Sequence, residues 1–309
     1  MTDSHQPKPF VKWAGGKGHL LGQLQLLFPD NFASMENASY VEPFVGGGAM
    51  LFYILGRYKN VKRVVINDIN TDLITCYRTI KDDPSPLIKE LKKLEKKYWS
   101  LPIEGQKVLY YDIRDKYNSR KASPLKLAAF FLFLNHTCFN GLYRVNSKSE
   151  FNVPCGRYNH PAICNEDTIL ADHELLKGVE IEILNGDYKL VKDSINPQDH
   201  TFVYLDPPYM PISVTSYFKQ YSSSPFEEKE QEELEEFCKE LGDMNCLIML
   251  SNSDCKNECG ESYFESLYSK FNIDRIYARR YINAHTDKRD KLSEIVIRNY
   301  SNLAIDIQQ

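Results

Sequence analysis

Residues 202–211 read FVYLDPPYMP, an apolar run that stops at one carboxylate, two prolines and an aromatic ring. Successive prolines fix the backbone, so the carbonyls around Asp206, Pro207 and Pro208 project rigidly. A carboxylate and a fixed carbonyl are two acceptors, and two acceptors suit an amino group. An exocyclic amine on an aromatic base is a poor nucleophile because its lone pair is delocalised into the ring. Hydrogen bonds accepted from both of its N–H groups draw the nitrogen toward pyramidal geometry and free that lone pair. Tyr209 supplies a flat face on which such a base stacks. A strand-ending turn is the plainer alternative, since Pro and Asp are both turn-prone, and the stretch alone leaves both readings open.

A second set of residues points to a cofactor. VEPFVGGGAML, at 41–51, puts Gly46, Gly47 and Gly48 between an apolar run and a helical pattern. Glycine there permits close backbone approach to a ligand, and a helix start offers unpaired N–H groups. Asp68 follows about 20 residues later at the end of VVIND, where an acid bonds ribose hydroxyls in nucleoside-binding α/β folds. The glycines lack the GxGxxG spacing, and nothing after them compensates phosphate charge, so a nucleoside without phosphate is favoured over a dinucleotide. WAGGKG, at 13–18, is no P-loop, because Val11 stands five residues before Gly16 and the motif fails at both ends. Trp13 and Lys17 are left between packing and ligand contact. The eight cysteines are scattered. The tightest pair, Cys255 and Cys259, lacks the second pair or the histidines of a zinc site, so reduced thiols and no metal are expected.

These groups need elements to hold them. Short apolar runs alternate with helical periodicity at both ends of the 309-residue chain, the mark of a parallel sheet covered by helices. SYVEPF, VKRVVIND, VEIEILNGD, TFVYLDPP and CLIMLSNS read as strands. GAMLFYILGRY and TDLITCYRTIK read as helices, and the acid-rich segment 226–241 reads as an amphipathic helix with a solvated face. From about 85 to 170 the composition changes. LIKELKKLEKKYW, KVLYYDIRDKYN and PLKLAAFFLFLNH have helical spacing, and TCFNGLYRVNSKSEFNVPCGRYNHPAIC then turns loop-like, polar and aromatic. This middle part reads as an insertion, 85–169, into an α/β domain made of 1–84 and 170–309. The net charge of −4 argues weakly against nucleic acid, but it is unevenly spread: acids crowd 226–240, while basic residues outnumber acids in the middle third and leave room for a local basic patch. No apolar stretch of about 18 residues and no signal-peptide pattern is present, so a cytoplasmic protein away from membranes is expected.

FVKWAGGK, VEPFVGGGAM, INDINTDLI, FNGLYRVNSKSEFNVPCGRY, YLDPPYMPIS and LSNSD occur in an order that resembles the DNA adenine methyltransferases of the Dam type, the D12 class with GATC-specific members, over nearly the whole chain. The resemblance implies a class I S-adenosylmethionine-dependent methyltransferase fold, α/β with a Rossmann-like sheet and a mainly helical target-recognition insertion. It implies S-adenosylmethionine as cofactor, double-stranded DNA as partner, and methyl transfer to the amine of a flipped adenine within GATC. Carried over by motif, Trp13, Lys17, Phe44, Gly46, Gly48, Asp68, Asp187, Tyr188 and Asp206 are expected at the cofactor. Asp206, Pro207, Pro208 and Tyr209 are expected at the reacting amine. Phe139, Asn140, Leu142 and Arg144 match a hairpin that enters DNA, and Arg157 with Tyr158 match its neighbouring contact. A restriction endonuclease companion in the same system is compatible with this family. Three alternatives stand beside this reading: a cytosine N4-methyltransferase, which more often bears Ser in place of Asp206; an amine methyltransferase acting on RNA or protein; and a DNA-binding module with an inactive cofactor pocket.

Overall fold

The structure is a computed structural model that describes residues 8–209, 226, 228–254, 262–278 and 292–302. The chain start, positions 210–213 of the YLDPPYMPIS stretch, and Cys255 with Cys259 lie outside those residues.

Strand runs and helical patterns alternate as their hydrophobic periods require. After a one-turn helix α1 (Leu21–Leu24), β1 (Ala38–Glu42) leads to α2 (Ala49–Arg57), and β2 (Val61–Asp68) leads to α3 (Thr71–Asp82). The expected helical stretch follows as α4 (Ser85–Trp99), α5 (Ile103–Asn118) and α6 (Pro124–Thr137). Then come α7 (Glu166–Lys177), β3 (Glu180–Asn185), β4 (Thr201–Leu205), α8 (Glu228–Asp243), β5 (Leu247–Ser253), α9 (Tyr263–Leu267), β6 (Asn272–Ala278) and β7 (Leu292–Arg298).

The strands make one seven-stranded sheet in the order β3-β2-β1-β4-β5-β7-β6. β1 pairs in parallel with β2 and with β4, and β4 in parallel with β5, whereas β7 runs antiparallel to both β5 and β6. β1 and β4 are buried along their whole length, as strands covered on both faces must be. Their register sets Val41 opposite Val203 and Glu42 opposite Ile66 of β2, so β2, β1 and β4 all run out at the same edge. Carboxyl edges of parallel strands are where open α/β sheets bind ligands.

By contact density the chain divides into two compact units. One is Met1–Lys17, Val45–Lys59 and Asn67–Asp187; the other is Gly18–Phe44, Asn60–Ile66 and Tyr188–Gln309. Within the first unit, α6 is apolar nearly all round and is packed against α3, α4 and α5. A helix without a polar face belongs in a core. Within the second, Phe28, Phe32 and Phe202 cluster at centroid distances of 5.0–5.9 Å and support β4 from behind.

Candidate active site

Asp206, Pro207, Pro208 and Tyr209 leave the end of β4 as irregular backbone. The prolines deny the sheet a donor and stop the strand there. Tyr209 donates its hydroxyl hydrogen to Glu294 Oε2 at 2.7 Å, which fixes the ring from β7. Burial, with Asp206 and Glu294 nearby, holds that phenol far above its ordinary pKa, so it stays protonated. One strand across, Glu42 is buried at the end of β1 and accepts from Tyr40 at 2.8 Å, while Tyr204 pairs with Ser251 at 2.9 Å. Phe44, two residues beyond β1, stacks on Tyr188 with centroids 5.1 Å apart and planes 28° off parallel, and Phe226 meets Phe44 edge-on. In this unit, then, the DPPY residues and the Phe44–Tyr188 pair are held by the ends of β4 and β1 and by their aromatic and acidic neighbours.

The glycine turn lies in the first unit. Gly46 and Gly48 adopt φ of 48° and 78°, a region L side chains rarely enter. Their missing side chains also make room for other groups. A Cβ on Gly46 would come within 3.0 Å of the Trp13 ring, and one on Gly48 within 2.4 Å of the Tyr77 hydroxyl. Tyr77 donates to the Gly46 carbonyl at 3.0 Å, so the turn is braced from below. Asp68 braces it from the side, its Oδ2 accepting from Gly46 N at 2.9 Å and its Oδ1 from Asn70 N at 2.8 Å. Burial pushes the Asp68 carboxyl up and the backbone N–H groups pull it back. Each oxygen keeps a second lone pair, and a half-buried carboxylate at the end of a parallel strand suits a vicinal diol. Lys17 is buried and donates to the Gly15 carbonyl at 2.9 Å. Asp187 follows Gly186, whose N–H donates to the Asp68 carbonyl at 3.2 Å. Asn185 donates to the same carbonyl at 2.9 Å, and Asn67 donates to the Gly186 carbonyl at 3.0 Å. Asn185 was not singled out from sequence; its place at the head of NGDY was the available signal.

The loop after α6 is also in the first unit. Phe139, Asn140, Leu142 and Arg144 are exposed, Phe139 by 51% and Leu142 by 39%, an unusual display of apolar surface on a polar loop. Asn140 and Gly141 both have positive φ, and a Cβ on Gly141 would sit 2.5 Å from the Lys12 side chain. Asn135, buried near the end of α6, accepts from Lys12 N at 2.9 Å and donates to the Lys12 and Gly141 carbonyls at 2.8 and 3.2 Å. Phe139 N donates to the Pro154 carbonyl and Gly156 N to the Thr137 carbonyl, which brings the segment leading to Arg157 and Tyr158 back against the end of α6. Lys12 Nζ lies 4.7 Å over the Tyr158 ring. Lys12 and Asn135, which the motif reading passed over, thus tie the loop that carries Phe139, Asn140 and Leu142 to Tyr158. Trp13 stacks on Tyr143 at 5.6 Å, linking the glycine turn to this loop.

An open sheet with strand order 3-2-1-4-5-7-6 and an antiparallel seventh strand, a glycine turn after β1 and an acid closing β2, defines the class I S-adenosylmethionine-dependent methyltransferase fold. Comparison with known proteins narrows the class. Residues 13–282 match the model of the D12 class N6 adenine-specific DNA methyltransferase, and the chain belongs to that family. It is 44% identical to the type II methyltransferase M.MjaIII of Methanocaldococcus jannaschii, over 95% of this chain and 99% of that one. It is 39% identical to the type II methyltransferase M1.LlaDCHI of Lactococcus lactis subsp. cremoris, over 96% of each chain. A DNA adenine methylase of Escherichia coli strain K12 is 29% identical over 94% of both. The chain is therefore an adenine-specific DNA methyltransferase, and the family implies S-adenosylmethionine as the methyl donor.

Proposed function

We propose that the chain methylates the exocyclic amine of an adenine flipped out of a GATC duplex, with Asp206–Tyr209 as the amine-holding group. The observation that carries this is the exit of DPPY from the end of buried β4, with Tyr209 anchored on Glu294. When bound, S-adenosylmethionine supplies an electrophilic methyl group on a sulfonium leaving group. The residues present fit its nucleoside half. Asp68 takes the ribose hydroxyls, and Gly46 and Gly48 let the backbone come close. By motif, Asp187 and Tyr188 line the adenine ring, Tyr188 stacking on Phe44, and Trp13 and Lys17 are assigned to the same cofactor. Asp206 and the Pro207 carbonyl accept the two amine hydrogens of the target base, and Tyr209 stacks against it. Extruding that base costs about a few kcal/mol of stacking and pairing. The exposed Phe139 and Leu142 suit insertion at a base step, where apolar wedges offset that cost. Asn140, Arg157 and Tyr158 hold the strand, and Arg144 reads the guanine edge. The insertion 85–169 thus recognises the target while 1–84 and 170–309 carry the chemistry. The type II names of two relatives favour a restriction endonuclease partner.

Replacing the target adenine by 2-aminopurine tests the flipping step. Fluorescence should rise when the protein and S-adenosylhomocysteine are added to a GATC duplex, and stay flat with a duplex carrying one changed outer pair. A flat signal on GATC would contradict the proposal.

A further inference from the structure

Arg144 sits on a hairpin that is built before any DNA arrives. Val145 pairs with Phe151, Asn146 N donates to the Glu150 carbonyl, and the Asn146 side chain accepts from Lys148 N and Glu150 N to close the tip. Asn118 on α5 grips the returning strand from outside, donating to the Phe151 carbonyl at 3.0 Å and accepting from Phe151 N at 2.9 Å. Asn152, next along, lies opposite Arg144 and donates its N–H to the Arg144 carbonyl at 3.1 Å.

The side chains repeat that pairing. Arg144 Nε donates to Asn152 Oδ1 at 2.7 Å and Arg144 Nη2 to the Asn152 carbonyl at 3.4 Å. A guanidinium has two forks that can grip a planar pair of acceptors: the side fork of Nε and one Nη2 hydrogen, and the end fork of Nη1 and the other Nη2 hydrogen. Asn152 occupies the side fork. Only the end fork is then left pointing away from the hairpin, and guanine O6 and N7 form an acceptor pair of matching spacing.

We infer that Asn152 is a positioning residue for sequence discrimination: it takes the side fork of Arg144 and so orders the end fork for a guanine edge. The inference rests on the reading of Arg144 as the guanine-contacting residue. Ordering matters because an exposed arginine loses rotamer freedom when it binds, and a pre-set guanidinium loses less.

The test compares methylation efficiency, kcat/KM, on a GATC duplex and on a duplex with one changed outer base pair. Arg144→Ala should lower the ratio by about tenfold to hundredfold. Asn152→Ala should lower it by about three- to tenfold, with unchanged affinity for S-adenosylhomocysteine and unchanged Tm. Asn152→Asp keeps an Oδ acceptor, so it should keep the wild-type ratio while slowing both duplexes through repulsion of phosphate. Asn152→Ala should cause no further loss of the ratio in an Arg144→Ala background. If Asn152→Ala slows both duplexes by one factor, or leaves both unchanged, while Arg144→Ala collapses the ratio, then the positioning role is wrong and the base-reading role survives. If Arg144→Ala leaves the ratio at its wild-type value, the base-reading role fails, and the inference with it.

Discussion

At the scale of single residues, the chemistry turns on acceptors held still. A preorganised acceptor at a reacting group is worth a few kcal/mol in the transition state. Asp206→Ala should accordingly lower single-turnover methyl transfer at least about 100-fold at saturating DNA and cofactor, and wild-type turnover would remove Asp206 from the mechanism. Tyr209 has two jobs in the proposed mechanism, its ring as the stacking face and its hydroxyl as the anchor on Glu294. Tyr209→Phe keeps the ring and gives up one buried hydrogen bond, an effect of about 0.5–1.5 kcal/mol, or up to about tenfold. Tyr209→Ala also gives up base stacking, a further 1–3 kcal/mol or so. Rapid-quench rates should therefore rank wild type above Phe and Phe well above Ala. Equal rates for Phe and Ala would mean that anchoring outweighs stacking. The break of a buried strand at DPPY was legible in the sequence, but the anchor of its tyrosine was not, since Glu294 lies 85 residues away and only the sheet order brings β7 to this edge.

At the scale of elements, strands with strong apolar runs were legible and those with weak ones were not. VKRVVIND is β2 from end to end, and TFVYLDPP contains β4, because each carries a run of consecutive buried apolar residues, Val64 to Ile66 in the one and Phe202 to Leu205 in the other. β6 and β7 were missed: NIDRIYA mixes charge into a half-exposed edge strand, and antiparallel pairing of this kind leaves little mark on composition. α7 was missed for a related reason, since its inward face carries Asp172 where an apolar residue is expected. That carboxyl is fully buried, neither oxygen has a hydrogen-bond partner among the described residues, and burial alone lifts its pKa from 3.8 to about 9. The folded chain therefore holds a proton that the unfolded chain has released between those values, and stability falls as pH rises through that window. Urea unfolding at pH 5 and pH 8 should show a larger loss for wild type than for Asp172→Asn, whose side chain does not titrate. The same pH dependence in both proteins would show that Asp172 is solvated.

At the scale of the whole molecule, an acidic chain has a polyanion as substrate, and the proposed DNA interface meets this by segregating charge. Formal net charge is −4, yet acids concentrate on α8, where Glu233 and Glu240 pair with Lys189 and Lys192. The exposed loop after α6 carries Arg144, Lys148 and Arg157. Binding should weaken steeply with salt, and each phosphate contact removed should flatten that dependence. Lys148, exposed at the hairpin tip, is a phosphate contact in this account. Lys148→Ala should weaken all duplexes alike and reduce the slope of log K against log salt by about one unit, as read by fluorescence anisotropy. An unchanged slope would move Lys148 off the DNA. The central claim is the identity of the modified atom and its sequence, and base-resolution mapping tests it most directly. Unmethylated plasmid treated with the protein and isotopically labelled S-adenosylmethionine should carry label on adenine N6 at GATC and nowhere else. Label on cytosine N4, or on adenine in another sequence with GATC left unmodified, would contradict the account.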